Sequence, residues 1–282
     1  DILAPEGATA EDLEAIRHDL GLDQPVIVRY VKYMGGMLHG DMGVSYVSKT
    51  DVFDTYMEKL PATIKLSFAS ILVSILLSVP LGIYSATRQG TVQDNISMIV
   101  AMIGLSMPNF WLGLLLIIVF SLNLGWFPSG GDQTLSSIVL PAITIGTGLM
   151  ATLTRTTRSS MLDVLKQEYL RTARAKGIPE KIVITSHALR NALIPIITII
   201  GTQLAGVLGG SVLTETVFAW PGVGRLIVDS LNMRDTPLVT GSIIMTTILL
   251  SIILLLVDLL YAVVDPRIKA QYVAKRGKKK HG

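Results

Sequence analysis

The chain of 282 residues contains no cysteine and carries little charge. The absence of cysteine excludes disulfide bonds and thiolate metal sites. Only 16% of the residues are charged, whereas 50% are hydrophobic. A soluble domain has roughly 25% charged residues, so this much apolar surface needs lipid to cover it. The composition therefore predicts a membrane protein.

Motifs for nucleotide binding and catalysis are missing as well. The sequence has no G-x-x-x-x-G-K-[ST] loop, so it is not expected to bind ATP as P-loop proteins do. It has no H-E-x-x-H motif, and its four histidines are scattered along the chain. We therefore predict no catalytic residue, no cofactor site and no metal site in this chain, and we do not expect it to be an enzyme.

Charge-free runs mark the membrane spans. A transmembrane helix needs about 20 mostly apolar residues, and five runs reach that length. They predict an all-α integral membrane protein with spans at about 64–87, 98–124, 135–154, 191–213 and 238–264. The second run contains Pro108-Asn109, so its length alone allows one kinked span or two short ones.

The distribution of charge decides that ambiguity. Residues 1–62 carry eleven acids and five Lys or Arg, whereas the segment 155–190 carries eight Lys or Arg and three acids. Because basic residues stay on the cytoplasmic side in short loops, 155–190 is predicted inside and 1–62 outside. This needs an odd number of crossings before Arg155, and one kinked span at 98–124 gives three.

The predicted organisation has three parts. Residues 1–62 form an extracellular or periplasmic region, 63–265 form the transmembrane domain, and 266–282 form a basic cytoplasmic tail. The chain begins with Asp1 and has no signal-peptide pattern, so we expect an N-terminal piece to be missing.

The segment 155–190 has the most informative local pattern. Small and basic residues run from Arg171 to Lys176, Gly177 ends the helix, and Pro179 begins a second helical piece. Small side chains allow another surface to approach closely, and basic ones allow polar docking. The residues alone leave open whether this is a docking element or a loop whose charges only fix the topology.

The sequence EYLRTARAKG, followed by HALRNALIP, resembles the cytoplasmic coupling loop of ATP-binding-cassette importer permeases of the dipeptide, oligopeptide and nickel branch. The resemblance covers nearly the whole chain and recurs in order at 21–25, 40–43, 60–63, 79–82, 215–224 and 258–267. Two departures from the general importer motif, at 171–173 and at Arg190, look like the peptide-branch variant. The resemblance implies a type I importer transmembrane domain with five spans present here of an expected six, the first helix missing.

The resemblance also implies partners and a coupling role. It implies a heterodimer with a second homologous permease subunit, two ATPase subunits that carry ATP and Mg, and an extracellular solute-binding protein. The complex would lie in the lipid of a bacterial or archaeal cytoplasmic membrane, with no role for nucleic acid. The residues implied to couple to the ATPases are Glu168, Tyr169, Arg171, Thr172, Ala173, Arg174, Ala175, Lys176 and Gly177.

Three further features have alternative interpretations. One group is an outer gate, a contact for the binding protein, or an interfacial anchor: Glu215, Phe218, Trp220, Pro221 and Gly222. Asp258 lies in an apolar run, and intramembrane carboxylates are often functional, but pairing with Arg155 or Arg158 is favoured. The G-x-x-x-G pair Gly206 and Gly210 predicts close contact with another helix, either within the subunit or across the dimer.

The predicted function is the pore-forming subunit of an ATP-driven importer of di- or oligopeptides. A nickel-chelate or glutathione importer of the same family is the alternative. A secondary transporter is the alternative from another class, and it usually has intramembrane ionisable residues and internal repeats. A membrane anchor without transport is a third class, against which the coupling loop argues.

Overall fold

The computed structural model describes residues 14, 18, 21 and 23–264, so the predicted tail 266–282 and most of residues 1–22 lie outside it. We number the helices α1 to α11 in chain order: Val26–Leu38, Val52–Thr87, Val92–Ser106, Asn109–Leu116, Val139–Leu165, Glu168–Ala175, Glu180–Ile182, Leu189–Gly210, Val212–Val217, Val223–Asn232 and Thr236–Val264. Two π-helical stretches, Ile117–Asn123 and Val183–Ala188, extend α4 and connect α7 to α8, and a 3-10 turn at Leu135–Ile138 precedes α5.

Four helical stretches in the described chain are long and apolar enough to cross a membrane: Val52–Thr87, Leu135–Leu165, Glu180–Gly209 and Thr236–Leu259. A fifth crossing is formed if α3 and the stretch Asn109–Asn123 are counted as one broken span, bent by 96°. The bend falls at Pro108, where the sequence predicts a kink. Proline disfavours helical backbone in the preceding residue, and Met107 is extended with φ −92° and ψ 128°.

Two of these helices are longer than the predicted spans. The helix α2 begins at Val52 rather than near 64, and α5 continues to Leu165 rather than ending near 154. A charge-free run locates only the part that lipid can surround, whereas the hydrogen-bonded helix continues past it. At the start of α2, the Asp51 carboxylate accepts hydrogen bonds from the backbone N–H groups of Phe53 (2.8 Å) and Asp54 (3.1 Å).

The helices α2 and α5 pack closely through small residues. Buried serines lie along α2: Ser67, Ser70, Ser74, Ser78 and Ser85. The Ser78 hydroxyl donates to the Met150 carbonyl of α5, whereas the Ser85 hydroxyl donates to Asp94 of α3. A Cβ atom added to Gly82 would lie 2.6 Å from the Cβ of Thr157 on α5. A Cβ atom added to Gly146 would lie 2.9 Å from the backbone oxygen of Ser70. In a bilayer, helices associate through such close packing, because lipid is as apolar as the side chains.

A buried ion pair joins α3 to α5. Arg158 binds Asp94 with two hydrogen bonds, Nε to Oδ1 at 2.8 Å and Nη2 to Oδ2 at 2.7 Å. We call the end of the helices that holds this pair the basic end. The preferred pairing of Asp258 with Arg155 or Arg158 was therefore wrong for Arg158, whose partner is Asp94. Asp258 is exposed on the surface of α11, and no salt bridge joins it to Arg155 among the described residues.

The glycines of α8 lie in two different environments. Gly201 and Gly209 pack on α11, where an added Cβ would meet Val257 at 2.7 Å and Leu250 at 3.1 Å. Gly206 has no atom within 4 Å of such a Cβ. Within the subunit, the close helix contacts of α8 are made by Gly201 and Gly209, whereas Gly206 borders open space. Contact of Gly206 with a helix of a second subunit stays a prediction.

Candidate functional site

The short helix α6 at the basic end is anchored by one side and exposed on the other. Leu170 is fully buried and Ala173 is 9% exposed. Both belong to an apolar cluster to which α2, α5 and α8 contribute, with Ala86, Met161 and Ala192 among its members. The three-residue spacing of Leu170 and Ala173 places them on one face of the helix. The helix therefore lies with that face against the ends of three spans.

Of the nine residues implied to couple to ATPases, eight are exposed: Glu168, Tyr169, Arg171, Thr172, Arg174, Ala175, Lys176 and Gly177. Ala173 is the exception, because it faces the spans and offers no surface to a partner. Leu170 was not among the predicted site residues, although it attaches the helix to the spans. Its apolar side chain in a helix otherwise rich in polar residues was the signal that could have identified it.

The turn after α6 is held in a fixed geometry. Gly177 has a φ of +75°, a left-handed conformation that favours glycine, and its N–H donates to the Arg174 carbonyl at 2.9 Å. Arg174 donates two hydrogen bonds to Glu180 across this turn, at 3.0 and 2.9 Å. These bonds raise the pKa of the Arg174 guanidinium above its usual value. Tyr169 accepts a hydrogen bond from Asn191 of α8 at 2.9 Å.

At the opposite end of the helices, the Glu215 carboxylate is fully buried. Its Oε1 accepts hydrogen bonds from the hydroxyls of Thr63 (2.9 Å) and Ser211 (2.8 Å), and its Oε2 accepts one from the backbone N–H of Arg225 (3.1 Å). Thr63 in turn accepts from the backbone N–H of Val223 at 2.8 Å. A buried carboxylate needs such donors, and this network ties the loop after α8 to the side of α2.

Two aromatic side chains complete this arrangement, which we call the buried knot: Thr63, Glu215, Phe218, Trp220 and Gly222. Trp220 is fully buried, and its indole N–H donates to the Ala62 carbonyl at 2.9 Å. Phe218 is 1% exposed, and its carbonyl accepts from the backbone N–H of Gly131 at 2.9 Å. The knot thus joins α2 to the loop that follows the broken span.

The burial of the knot bears on the roles predicted from the sequence. Glu215, Phe218, Trp220 and Gly222 are buried and Pro221 is half-buried. The four buried residues present no surface to a binding protein in this structure, and Trp220 does not lie exposed at a lipid interface. The sequence placed these residues together correctly as neighbours, but it gave no signal that they pack inward against α2.

Metal and cofactor sites need clusters of suitable side chains. In the described part of the chain, no group of three or more His, Cys, Asp or Glu residues is arranged to hold a metal ion. The groups described at the two ends pack, form hydrogen bonds and form ion pairs, and such groups can fix and transmit positions.

Comparison with known proteins adds family information. A family model described as "Binding-protein-dependent transport system inner membrane component" matches residues 78–270, and a model for the N-terminal part of such membrane components matches residues 3–67. The chain is 45% identical over 269 residues to the oligopeptide transport system permease protein AppB of Bacillus subtilis strain 168, covering 92% of this chain and 85% of the relative. It is 41% identical over 268 residues to the glutathione transport system permease protein GsiC of Escherichia coli K12, covering 95% and 87%.

Solved structures show the same fold. A chain of the methionine ABC transporter MetNI, in an inward-facing conformation, matches with a TM-score of 0.62 at 19% identity, covering 74% of this chain and 96% of that one. A chain of an amino acid ABC transporter crystallised with histidines matches with a TM-score of 0.57 at 13% identity, covering 74% and 93%. The predicted fold, the membrane domain of a type I importer, is thereby confirmed.

Proposed function

The chain belongs to the family of binding-protein-dependent transport system inner membrane components, and from this premise we propose that it is the permease subunit of an ATP-driven importer of di- or oligopeptides. The permease role in an ABC importer follows from the family and the fold. The peptide substrate is supported by the relative named for oligopeptide transport. Glutathione is the second candidate, because a relative of similar identity is named for it, and glutathione is itself a small peptide.

We infer that α6 is the element that receives movement from the ATPases. Its exposed face carries the polar residues, and its buried face is inserted between α2, α5 and α8. A shift of α6 therefore moves three spans together, since close-packed interfaces transmit small displacements as rigid-body movements. The Arg174–Glu180 pair joins α6 to α7 across the Gly177 turn, and the hydrogen bond from Asn191 to Tyr169 joins α6 to α8. We expect ATP and Mg to bind the partner subunits, and catalysis to occur there.

The buried knot supports a role in gating that does not depend on direct contact with the binding protein. It attaches the loop between α8 and α10 to α2 through Glu215 and Thr63, and to the loop after the broken span through Phe218. We propose that these attachments make the outer ends of α2, α8 and the broken span move as one body when the pore opens. A second permease subunit and an extracellular binding protein complete the complex in this proposal.

The proposed orientation places the basic end in the cytoplasm. The motivation is the excess of Lys and Arg in residues 155–190 over residues 1–62. Because the chain has no cysteine, single cysteines give a clean readout. We expect Ser48→Cys to react with an impermeant maleimide in intact cells, and Lys181→Cys to react only after the cells are opened. Reaction of both variants in intact cells would contradict the proposed topology.

The experiment that tests the proposed function is uptake by the assembled complex. The subunit should co-purify with an ATPase subunit and a second permease, and vesicles that contain the complex and its binding protein should accumulate labelled trialanine only with ATP. Free alanine is the control solute, because it lacks a peptide bond. Accumulation that responds to an ion gradient and not to ATP would identify a secondary transporter instead.

A further inference from the structure

A cavity lies at the bend of the broken span and opens to the surface of the subunit, where Leu105, Asn109 and Gly206 are exposed. It has a volume of about 320 Å³, and residues of α3, α4, α5, α8 and α9 line it. Ligand-binding pockets have volumes of about 300 Å³ or more, so this cavity can hold a small polar part of a solute. Gln203 is the fifteenth residue of α8, about 21 Å along the helix from its start, and lies within the apolar stretch Glu180–Gly209 that is long enough to cross a membrane.

The broken backbone is a second, independent observation. The break between Ser106 and Asn109 brings Leu105 and Asn109 to the cavity wall from two helices that meet at 96°. Irregular backbone at membrane depth is tolerated where it is buried in protein or lines a cavity, and transporters place solute sites at interrupted helices. Gly148 faces the break, where an added Cβ would lie 2.7 Å from Oδ1 of Asn109. Glycine at this position therefore allows the Asn109 side chain to occupy its place.

The chemistry of the wall is neutral and polar. Gln203 donates one hydrogen bond from Nε2 to the Leu149 carbonyl at 3.0 Å, whereas its Oε1 is buried and has no hydrogen-bond partner in the described part of the chain. Asn109 and Thr214 supply an amide and a hydroxyl, whereas the Ser211 hydroxyl already donates to Glu215 and can only accept. None of the described lining residues is ionisable. An unpaired buried acceptor is costly, so Oε1 is ready to accept an N–H group.

We propose that this cavity binds the backbone amide of the solute during its passage, with Oε1 of Gln203 accepting the peptide N–H. This rests on the proposed function and names the part of the solute that the pore recognises. A secondary amide has one N–H donor and one C=O acceptor, which neutral amide and hydroxyl groups can match. A wall without charge favours a group that all peptides share, whatever their side chains. Gly206 supplies the open space, because nothing lies within 4 Å of its added Cβ.

The test uses the assembled complex in vesicles and labelled trialanine. Gln203→Leu should lower uptake by about 2- to 10-fold, the effect of one hydrogen bond worth 0.5–1.5 kcal/mol. The control is Thr202→Val, which removes a hydroxyl from the neighbouring exposed residue that bonds only within its helix, to the Ile199 carbonyl. Gly206→Leu should reduce uptake more than 10-fold, because its side chain would fill the open space next to Gly206.

A labelling experiment separates solute contact from a structural effect. Gly206→Cys provides a single cysteine at the cavity, and trialanine with ATP should slow its alkylation several-fold, whereas free alanine should not. Unchanged uptake by Gln203→Leu, or alkylation at the same rate with and without trialanine, would overturn the inference while leaving the peptide importer intact. Absence of ATP-dependent trialanine uptake by the wild-type complex would instead overturn the proposed function, and the inference with it.

Discussion

Gly222→Ala is expected to abolish formation of a stable subunit. The backbone at Gly222 is extended, with φ −94° and ψ 179°, so alanine causes no backbone strain there. The obstacle is space, because the new Cβ would lie 2.5 Å from the Glu215 carboxylate and 2.5 Å from the Thr63 hydroxyl. Separating these groups removes a donor from a buried carboxylate. The lost hydrogen bond and the overpacking together should lower the free energy of unfolding by about 3 kcal/mol or more.

The measurement is the yield and apparent melting temperature of the purified subunit in detergent. Gly35→Ala in α1 is the matched control, because its added Cβ meets nothing within 4 Å. The double variant Gly222→Ala with Glu215→Asp should recover part of the loss, since the shorter carboxylate leaves room for the methyl group. The effects of substitutions at two contacting residues are not additive, so partial rescue would show that Gly222 and Glu215 are in contact. A wild-type melting temperature for Gly222→Ala would show that the knot is not packed as described.

Ala173→Trp is expected to reduce peptide uptake more than 10-fold by lifting α6 away from the spans. Ala173 is 9% exposed and packs in the cluster that α2, α5 and α8 share. An indole cannot be placed there without moving α6, and overpacking of this kind costs about 1–3 kcal/mol or more. Because the spans insert through their own apolar length, the subunit should still reach the membrane. Uptake and the melting temperature of the isolated subunit should both fall.

The control for this prediction is Ala175→Trp, a change of the same size at an exposed position of the same helix. It should leave the melting temperature of the isolated subunit unchanged, while it can weaken binding of the ATPase. The opposite result for Ala173→Trp, a normal melting temperature with loss of the ATPase, would place Ala173 on the outward surface that the sequence alone suggested.

Some features of the packing were present in the sequence without being recognised. The serines at 67, 70, 74 and 78 of α2 recur every three or four residues, which places them on one helix face, and Ser78 on that face bonds α5. Leu170 likewise lies three residues before Ala173 in an otherwise polar helix. Both patterns are local, so a search for small or apolar residues at helical spacing would have found them. The long-range contacts of the site had no such signal.

The sequence by itself determined the membrane class, the approximate spans, the break at Pro108 and the short helix that stops before Gly177. Each depends on residues close together in the chain: apolar length, charge-free runs, a proline and a left-handed glycine. Only the tertiary structure decided that Glu215 bonds Thr63, 152 residues away, and that Arg158 bonds Asp94, 64 residues away. It also decided that Ala173 faces inward and that Gly206 borders a cavity. In a bilayer, every span is apolar on most sides, so composition cannot tell which face meets another helix, and close packing between helices makes that choice.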